Sequence, residues 1–355
     1  MNKKVLVAMS GGVDSAVAAL LVKGMGYDTG GITMKVWSED AVLHDDVNTK
    51  PDANCQDAKA IADALNIPHH IVCYGDSFRQ HVVNRFLSDY KNGLTPNPCV
   101  ECNKHIKFGK LFESAQELGY DILATGHYAK ITCDINGNYR LQRAADKNKD
   151  QSYFLWSIKK QLLPHILFPL GEYTKPEIRA IAESNGFSNA HRSDSQDICF
   201  IADGDYAQFI KKQCDDAFPL GSFVDIDGNV IGQHSGMINY TIGQRKGLGV
   251  AFGKPMFVGR KNVQDNTVML CTDEQLYSDT LTANAVNLLM DDTLEKPTRL
   301  EAKIRYRHTP AIATVVRTDE DRISVKFDLP QRAIAPGQSV VFYDGDTVVG
   351  GGIIE

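Results

Sequence analysis

Residues 5–21 read VLVAMSGGVDSAVAALL, and the parsing of this stretch sets the class of fold. An apolar run up to Met9 is followed by Ser10-Gly11-Gly12-Val13-Asp14-Ser15, and then by an apolar segment that suits a helix from Asp14 through Val22. A short run without polar alternation is a strand covered on both faces, as in a parallel sheet. Two glycines between strand and helix let backbone N–H groups turn toward an anion, and the helix N-terminus adds the positive end of its dipole. The stretch therefore reads as a phosphate-binding loop. It lacks the Gly-Lys-Ser/Thr ending of a Walker loop, whose lysine reaches the terminal phosphates of a nucleotide.

Working outward, the strand-like runs KVLVAM, GGITM, HHIVCY and DILATG alternate with helical segments near 54–65 and 77–91. This βαβ rhythm predicts a doubly wound parallel sheet, and ligands on such sheets bind at the carboxyl ends of the strands. ITCDINGNYRLQR has two alternating runs around Asn136-Gly137 and is expected to be an antiparallel hairpin departing from that sheet. TKPEIRAIAESNG is a well-bounded helix, with Thr174 as N-cap, Pro176 in the first turn and Gly186 at the C-terminal end. From about residue 205 the texture changes to short, glycine-punctuated alternating runs, the pattern of all-β structure. The expected organisation is an α/β domain over 1–205, a small mostly β domain over 206–275 and a C-terminal β-barrel over 276–355.

The 355 residues, 43% hydrophobic and 23% charged, form an ordinary globular chain with length enough for two or three domains. A net charge of −6 argues against indiscriminate nucleic-acid binding, while NKHIK (103–107), GQRKG (243–247) and RYRH (305–308) leave room for local basic patches. No apolar run approaches the ~20 residues of a membrane span, so a cytoplasmic protein is expected. The cysteines, Cys55, Cys73, Cys99, Cys102, Cys133, Cys199, Cys214 and Cys271, are too sparse for a disulfide framework. Cys73 and Cys271 lie in apolar strand-like runs and are expected in the core. Cys99 and Cys102 form a C-x-x-C whose spacing alone suits half a zinc site, a redox disulfide or a nucleophile with a helper. Structural zinc is disfavoured, because it needs four ligands and no second close Cys/His pair is present.

Ser10 to Ser15 resemble the S-G-G-x-D-S loop of the ATP pyrophosphatase (PP-loop) superfamily, which cleaves ATP between the α and β phosphates and attaches AMP to a substrate oxygen. Six more motifs follow in order: TPNPCVECNKHIKFG (95–109), LATGHYA (123–129), KDQSYFLW (149–156), DSQDICFI (194–201), YTIGQRKGLG (240–249) and APGQSVVFYDGDTVVGGGII (335–354). With these the chain is similar, nearly end to end, to the tRNA-uridine 2-sulfurtransferases, the MnmA family of wobble-uridine thiolation. The resemblance implies ATP with Mg²⁺ bound by Ala8, Met9, Ser10, Gly11, Gly12, Val13, Asp14, Ser15, Met34 and Gly126, with Asp14 organising the loop or the metal. It also implies a persulfide on Cys199 and a second catalytic cysteine at Cys102, which releases the sulfur as a disulfide forms. Asn97, Pro98 and Cys99 would meet the target base, and His127, Lys149, Asp150 and Gln151 would contact tRNA near the adenylate. Arg305, Tyr306 and Gln338 would grip the anticodon arm from the barrel. The implied partners are wobble-uridine tRNAs for lysine, glutamate and glutamine, and a sulfur-donor protein, either a cysteine desulfurase or a sulfur relay protein.

The chemistry is consistent with that resemblance. A uracil C2 oxygen is a poor leaving group, and attachment of AMP activates it. Cysteine then suits the sulfur step, because a thiolate is a strong nucleophile near neutral pH. Lys104, Lys107 or His105 is expected to favour the thiolate of Cys102. Arginine for phosphate and tyrosine for stacking fit RNA recognition. The chain departs from a common family pattern at Cys99, where many members carry aspartate. Cys99, Cys102 and Cys199 together offer three ligands to a [4Fe-4S] cluster whose fourth iron is open to sulfide. Two rival readings stand beside thiolation: an ATP-dependent amidase or ligase built on the same loop, and an RNA-binding module that takes ATP as a regulatory ligand.

Overall fold

The computed structural model describes residues 3–38, 45, 52–192, 198–201, 204–214, 218–249, 253–290 and 294–355. Its first sheet contains β1 (Lys4–Ala8), β2 (Asp28–Lys35), β3 (His69–Cys73), β4 (Ile122–Ala124) and, after the hairpin strands β5 (Lys130–Cys133) and β6 (Tyr139–Gln142), β7 (Ile166–Leu167). The order is β3-β2-β1-β4-β7 and every pairing is parallel. Alternation along β1 sends Leu6 into a core with Ile32, Phe78, Phe86 and Phe200, and sends Val5 and Val7 into a second core. That second core is built with helix α1 (Val13–Gly24), helix α2 (Ala53–Ala64) and the Lys175–Ser184 helix. Both faces of the sheet are therefore covered, as a doubly wound fold requires. The strand order reverses at β1, so the crevice beyond the carboxyl ends of β1 and β4 is the topological switch point where ligands bind in such folds.

A second sheet, β10-β11-β8-β9, follows with β8 (Gly221–Val224), β9 (Val230–His234), β10 (Phe257–Asn262) and β11 (Thr267–Cys271). The third has β12 (Tyr277–Leu288), β13 (Thr298–Lys303), β14 (Ala311–Asp319), β15 (Arg322–Arg332), β16 (Ser339–Asp344) and β17 (Thr347–Ile354), and pairing of β12 with β17 closes it into a barrel. The α/β class, the β-rich middle and the C-terminal barrel are thus as expected, and Cys73 and Cys271 are buried.

The hairpin forms as expected. β5 and β6 pair as the Asn136-Gly137 turn predicts and leave the parallel sheet; their destination, which the turn does not specify, is the barrel sheet, through Thr347↔Gln142. Three contacts fix that destination: Arg143 N–H to the Asp346 carbonyl at 2.8 Å, Gln142 Nε2 to Thr347 Oγ1 at 3.2 Å, and the Arg143–Glu301 ion pair at 2.7 Å. Turn residues determine that a hairpin forms; only non-local partners determine which sheet it joins.

The KDQSYFLW segment joins barrel to sheet domain. Trp156 Nε1 donates to Ser339 Oγ (3.0 Å), Tyr153 OH donates to the Ser339 carbonyl (2.9 Å) and the Ser152 and Tyr343 hydroxyls lie 3.1 Å apart, all buried.

Candidate active site

The loop after β1 is shaped by its small residues. Gly11 has φ +75, and a Cβ there would meet the Asn54 carbonyl oxygen at 2.7 Å, so both conformation and space require glycine. Gly126, at the end of β4, approaches so closely that a Cβ would lie 2.9 Å from Asp14 C and Ser15 N. Ser15 is buried and its hydroxyl accepts from the Ser10 N–H (3.1 Å) and donates to the Gly12 carbonyl (3.0 Å). Gly12 caps α1 with extended backbone and without a side-chain bond, so the first-turn N–H groups have no capping side chain as acceptor. Met9 is buried under the loop, and Met34, half-buried, sits near the carboxyl end of β2, where the family resemblance puts the nucleotide.

Asp14 is held from two sides. Lys175 Nζ donates to both of its carboxylate oxygens, at 2.8 and 2.9 Å, and Tyr128 OH donates to one at 2.8 Å. Asn189 Nδ2 donates to the Gly11 carbonyl at 2.9 Å. The sequence reading missed Lys175, Tyr128 and Asn189. A signal was present for Lys175: it is the first residue of its helix, where the dipole disfavours a cation, so a buried anionic partner is called for.

The second cluster is sulfur. Cys102 is the first residue of a π-helical segment, Cys102–Lys110, and is buried, whereas Cys99 and Cys199 reach solvent. The structure brings the three together, close enough that Cys99 and Cys199 each act electrostatically on Cys102, and Cys99 on Cys199. Burial pushes the Cys102 thiol up to about 12, only partly opposed by the Lys107 ammonium. Cys99 and Cys199 are also raised, first by burial, and again Lys107 opposes it. Cys99 and Cys199 thus touch solvent and yet feel a desolvating surround. Of the three cations expected to assist Cys102, Lys107 is the one whose charge acts on all three thiols, but at rest Cys102 is a protonated thiol. Phe200, directly after Cys199, is buried against Trp37, Phe78, Phe86 and Phe209, and so anchors the backbone that presents the sulfur.

His127 links the two clusters. Its Nδ1 lies 2.6 Å from Thr125 Oγ1 and its Nε2 lies 3.2 Å from Lys107 Nζ. Burial, and then the Lys107 charge, hold it well below the usual imidazole range, so it is neutral. An ammonium only donates, so Nε2 accepts from Lys107 and Nδ1–H donates to Thr125.

The residues assigned to tRNA divide. Asn97 and Pro98 precede Cys99 at the start of the Pro98–Glu101 helix. Tyr306 packs on Phe154 with ring centroids 4.5 Å apart, and the Phe154 carbonyl accepts from Asn103 Nδ2 at 2.9 Å, which places the barrel tyrosine beside the Cys102 helix. Arg305, half-buried, donates to the Arg332 carbonyl at 3.2 Å. Gln338 Nε2 donates to the carbonyls of Thr95 (2.8 Å) and Pro96 (3.4 Å), so it braces the loop that carries Asn97. Lys149 is half-exposed, whereas Asp150 is buried and accepts from the N–H groups of Ala144 and Ser152 and from Ser152 Oγ. Gln151 Oε1 accepts from the Tyr128 N–H at 2.9 Å. Asp150 and the Oε1 of Gln151 thus bond within the protein, while Gln151 itself is half-buried.

Residues 3–203 match the family described as the tRNA methyl transferase HUP domain, 207–272 its PRC-barrel domain and 278–354 the aminomethyltransferase β-barrel domain. The tRNA-specific 2-thiouridylase MnmA of Clostridioides difficile is 48% identical over 100% of this chain and 99% of its own. That of Acetivibrio thermocellus is 45% identical over the same shares. The chain belongs to the MnmA family. A 4-thiouridine synthetase solved with RNA and bound ATP covers 59% of the chain and is covered over 50%, at 14% identity and a TM-score of 0.38, too distant a likeness to argue from.

ATP with Mg²⁺ belongs to the PP-loop fold that MnmA proteins share, and the loop fits it: no side chain caps the first-turn N–H groups, and Asp14 is the carboxylate of the loop. A metal cluster does not fit equally. Among the described residues no group of three or more His, Cys, Asp or Glu side chains stands so as to hold a metal ion, Cys99, Cys102 and Cys199 included. No described helix is long and apolar enough to cross a membrane.

Proposed function

We propose that this chain catalyses ATP-dependent 2-thiolation of the wobble uridine of tRNA, with Cys199 as persulfide carrier and Cys102 as the second catalytic cysteine. The observation that supports the reading is that Cys102 and Cys199, remote in sequence, lie close enough to act electrostatically on one another in a chain that also carries the pyrophosphate-loop motif. The uracil C2 oxygen attacks the α-phosphorus, the bond to the β-phosphate oxygen breaks, and pyrophosphate leaves. The terminal sulfur of the Cys199 persulfide attacks C2, and AMP departs with the oxygen. Cys102 then attacks the Cys199 sulfur; the old S–S bond breaks, its electron pair stays with the sulfur on C2, and a Cys102–Cys199 disulfide forms. A dithiol reductant returns both thiols, and a donor protein reloads Cys199.

Residue roles follow from position. Ser10 to Ser15 and Gly126 hold the phosphates, Asn97 to Cys99 meet the base, Lys149 and Arg305 take phosphate, and Tyr306 offers a stacking face. Lys107, in contact with neutral His127, is the charge that makes Cys102 a nucleophile when its turn comes. No step passes through an iron-sulfur cluster. The domain limits 1–205, 206–275 and 276–355 remain our division of labour, with tRNA held by the last.

The test is incubation with unmodified tRNA, ATP with Mg²⁺ and a persulfide donor, followed by mass analysis of nucleosides and assay of pyrophosphate. 2-Thiouridine is expected from the wild type and none from Cys199→Ser. Retention of full thiolation in Cys199→Ser overturns the persulfide assignment. An amidating ligase on the same loop would release pyrophosphate yet form no 2-thiouridine.

A further inference from the structure

We propose that Lys175 is the pyrophosphate-binding cation of this site, holding Asp14 when the loop is empty and moving to the β and γ phosphates of ATP when the nucleotide arrives. The inference rests on the ATP-using reading above and goes further by assigning a ligand the loop itself lacks. Ser10-Gly11-Gly12-Val13-Asp14-Ser15 has no basic residue, and its charged side chain is an aspartate. A polyphosphate entering there would meet a carboxylate. Lysine is the point charge that phosphate loops ordinarily supply from within, and here the neighbouring lysine comes from the first position of a remote helix.

Three features support an exchangeable contact over a fixed structural pair. Lys175 has 8% of its side chain exposed, so its ammonium has given up solvent, while Asp14 keeps 32%. Lys175 is also the first residue of its helix, an unfavourable place for a cation, and its backbone N–H already donates to Asp146 Oδ2 at 3.0 Å, so the side chain and not the helix end is what this position offers a phosphate. Finally, Tyr128 OH donates independently to Asp14 at 2.8 Å. Asp14 therefore keeps a partner after Lys175 turns away, and its freed oxygen would be available to the Mg²⁺ that ATP carries. The flexible four-carbon stem lets the ammonium move between acceptors without backbone change.

The experiment measures binding without tRNA, by titration calorimetry of the full chain with ATP·Mg²⁺, with Mg²⁺-pyrophosphate and with AMP. Replacement Lys175→Met is expected to weaken ATP and pyrophosphate about ten- to a hundredfold, the worth of one charge-assisted contact, and to leave AMP within twofold. A residue that only props up Asp14 would weaken all three ligands together, and that result overturns the assignment. So does pyrophosphate affinity within twofold of wild type. Because Lys175→Met strands a carboxylate and can compromise folding, the double variant Asp14→Asn/Lys175→Met is measured too. It removes the imbalance and is expected to keep the pyrophosphate defect; recovery of affinity there refutes the proposal. Failure of the wild type to bind any ATP overturns the ATP reading itself, a different result from either.

Discussion

At the scale of single residues, the thiols differ in what surrounds them, and that difference is measurable. Cys102 has its thiol pushed up to about 12 by burial, from an ordinary 9.0. The folded chain therefore keeps a proton that the unfolded chain loses above pH 9, so this group lowers stability as pH rises from about 9 toward 12, at roughly 1.4 kcal/mol per unit. Urea unfolding at pH 8 and 10 should show a steeper alkaline loss for wild type than for Cys102→Ser. Equal slopes would show that the thiol is not desolvated. Iodoacetamide at pH 8 is expected to label the solvent-facing Cys199 well before Cys102, read by peptide mass. The motifs around Cys102 and Cys199 were legible in the sequence through the family resemblance, but burial was not: nothing in NKHIK says that Cys102 is enclosed or that Lys107 is the cation that reaches it. Lys175 was overlooked because a capped helix accounts for every other residue of its segment.

At the scale of elements, most boundaries were legible and one geometry was not. Helices expected near 54–65 and from Asp14 are Ala53–Ala64 and Val13–Gly24, and Thr174 forms a capping box with Glu177. The π-helical turns Arg79–Val83 and Cys102–Lys110 have no sequence signature, since the apolar spacing of a π segment within a longer helix barely differs from α. They are stacked on one another through His81 and His105, whose rings lie 4.6 Å apart. The close approach of β4 to the phosphate loop gives a second test. Gly126→Ala puts a methyl 2.9 Å from Asp14 C and Ser15 N, which must displace backbone and should cost about 1–3 kcal/mol. Thermal melting should fall and ATP affinity with it; unchanged nucleotide binding would mean that the loop adjusts freely.

For the whole molecule, the barrel is structurally continuous with the parallel-sheet half. Ser339 accepts from Trp156 and Tyr153 in a buried contact, so Ser339→Ala, which leaves the indole N–H without its partner, should cost about 1–3 kcal/mol in chemical denaturation. If it costs nothing, the seam between domains is wetter than it looks. The class of each region was legible from periodicity, and the seam was not, because serine, tryptophan and a hairpin turn carry no local mark of which distant strand they will meet. The hairpin has a consequence for biosynthesis. Gln142 and Thr347, which join the hairpin to the barrel, are 205 residues apart. At ribosomal speeds of about 5–20 residues per second, the early half waits roughly 10–40 s, with β6 unpaired on its outer edge, for the last strand to be translated. A cell making this protein must shield an exposed strand edge for that interval, and a nascent chain stalled before its final codons should be a preferred client of chaperones.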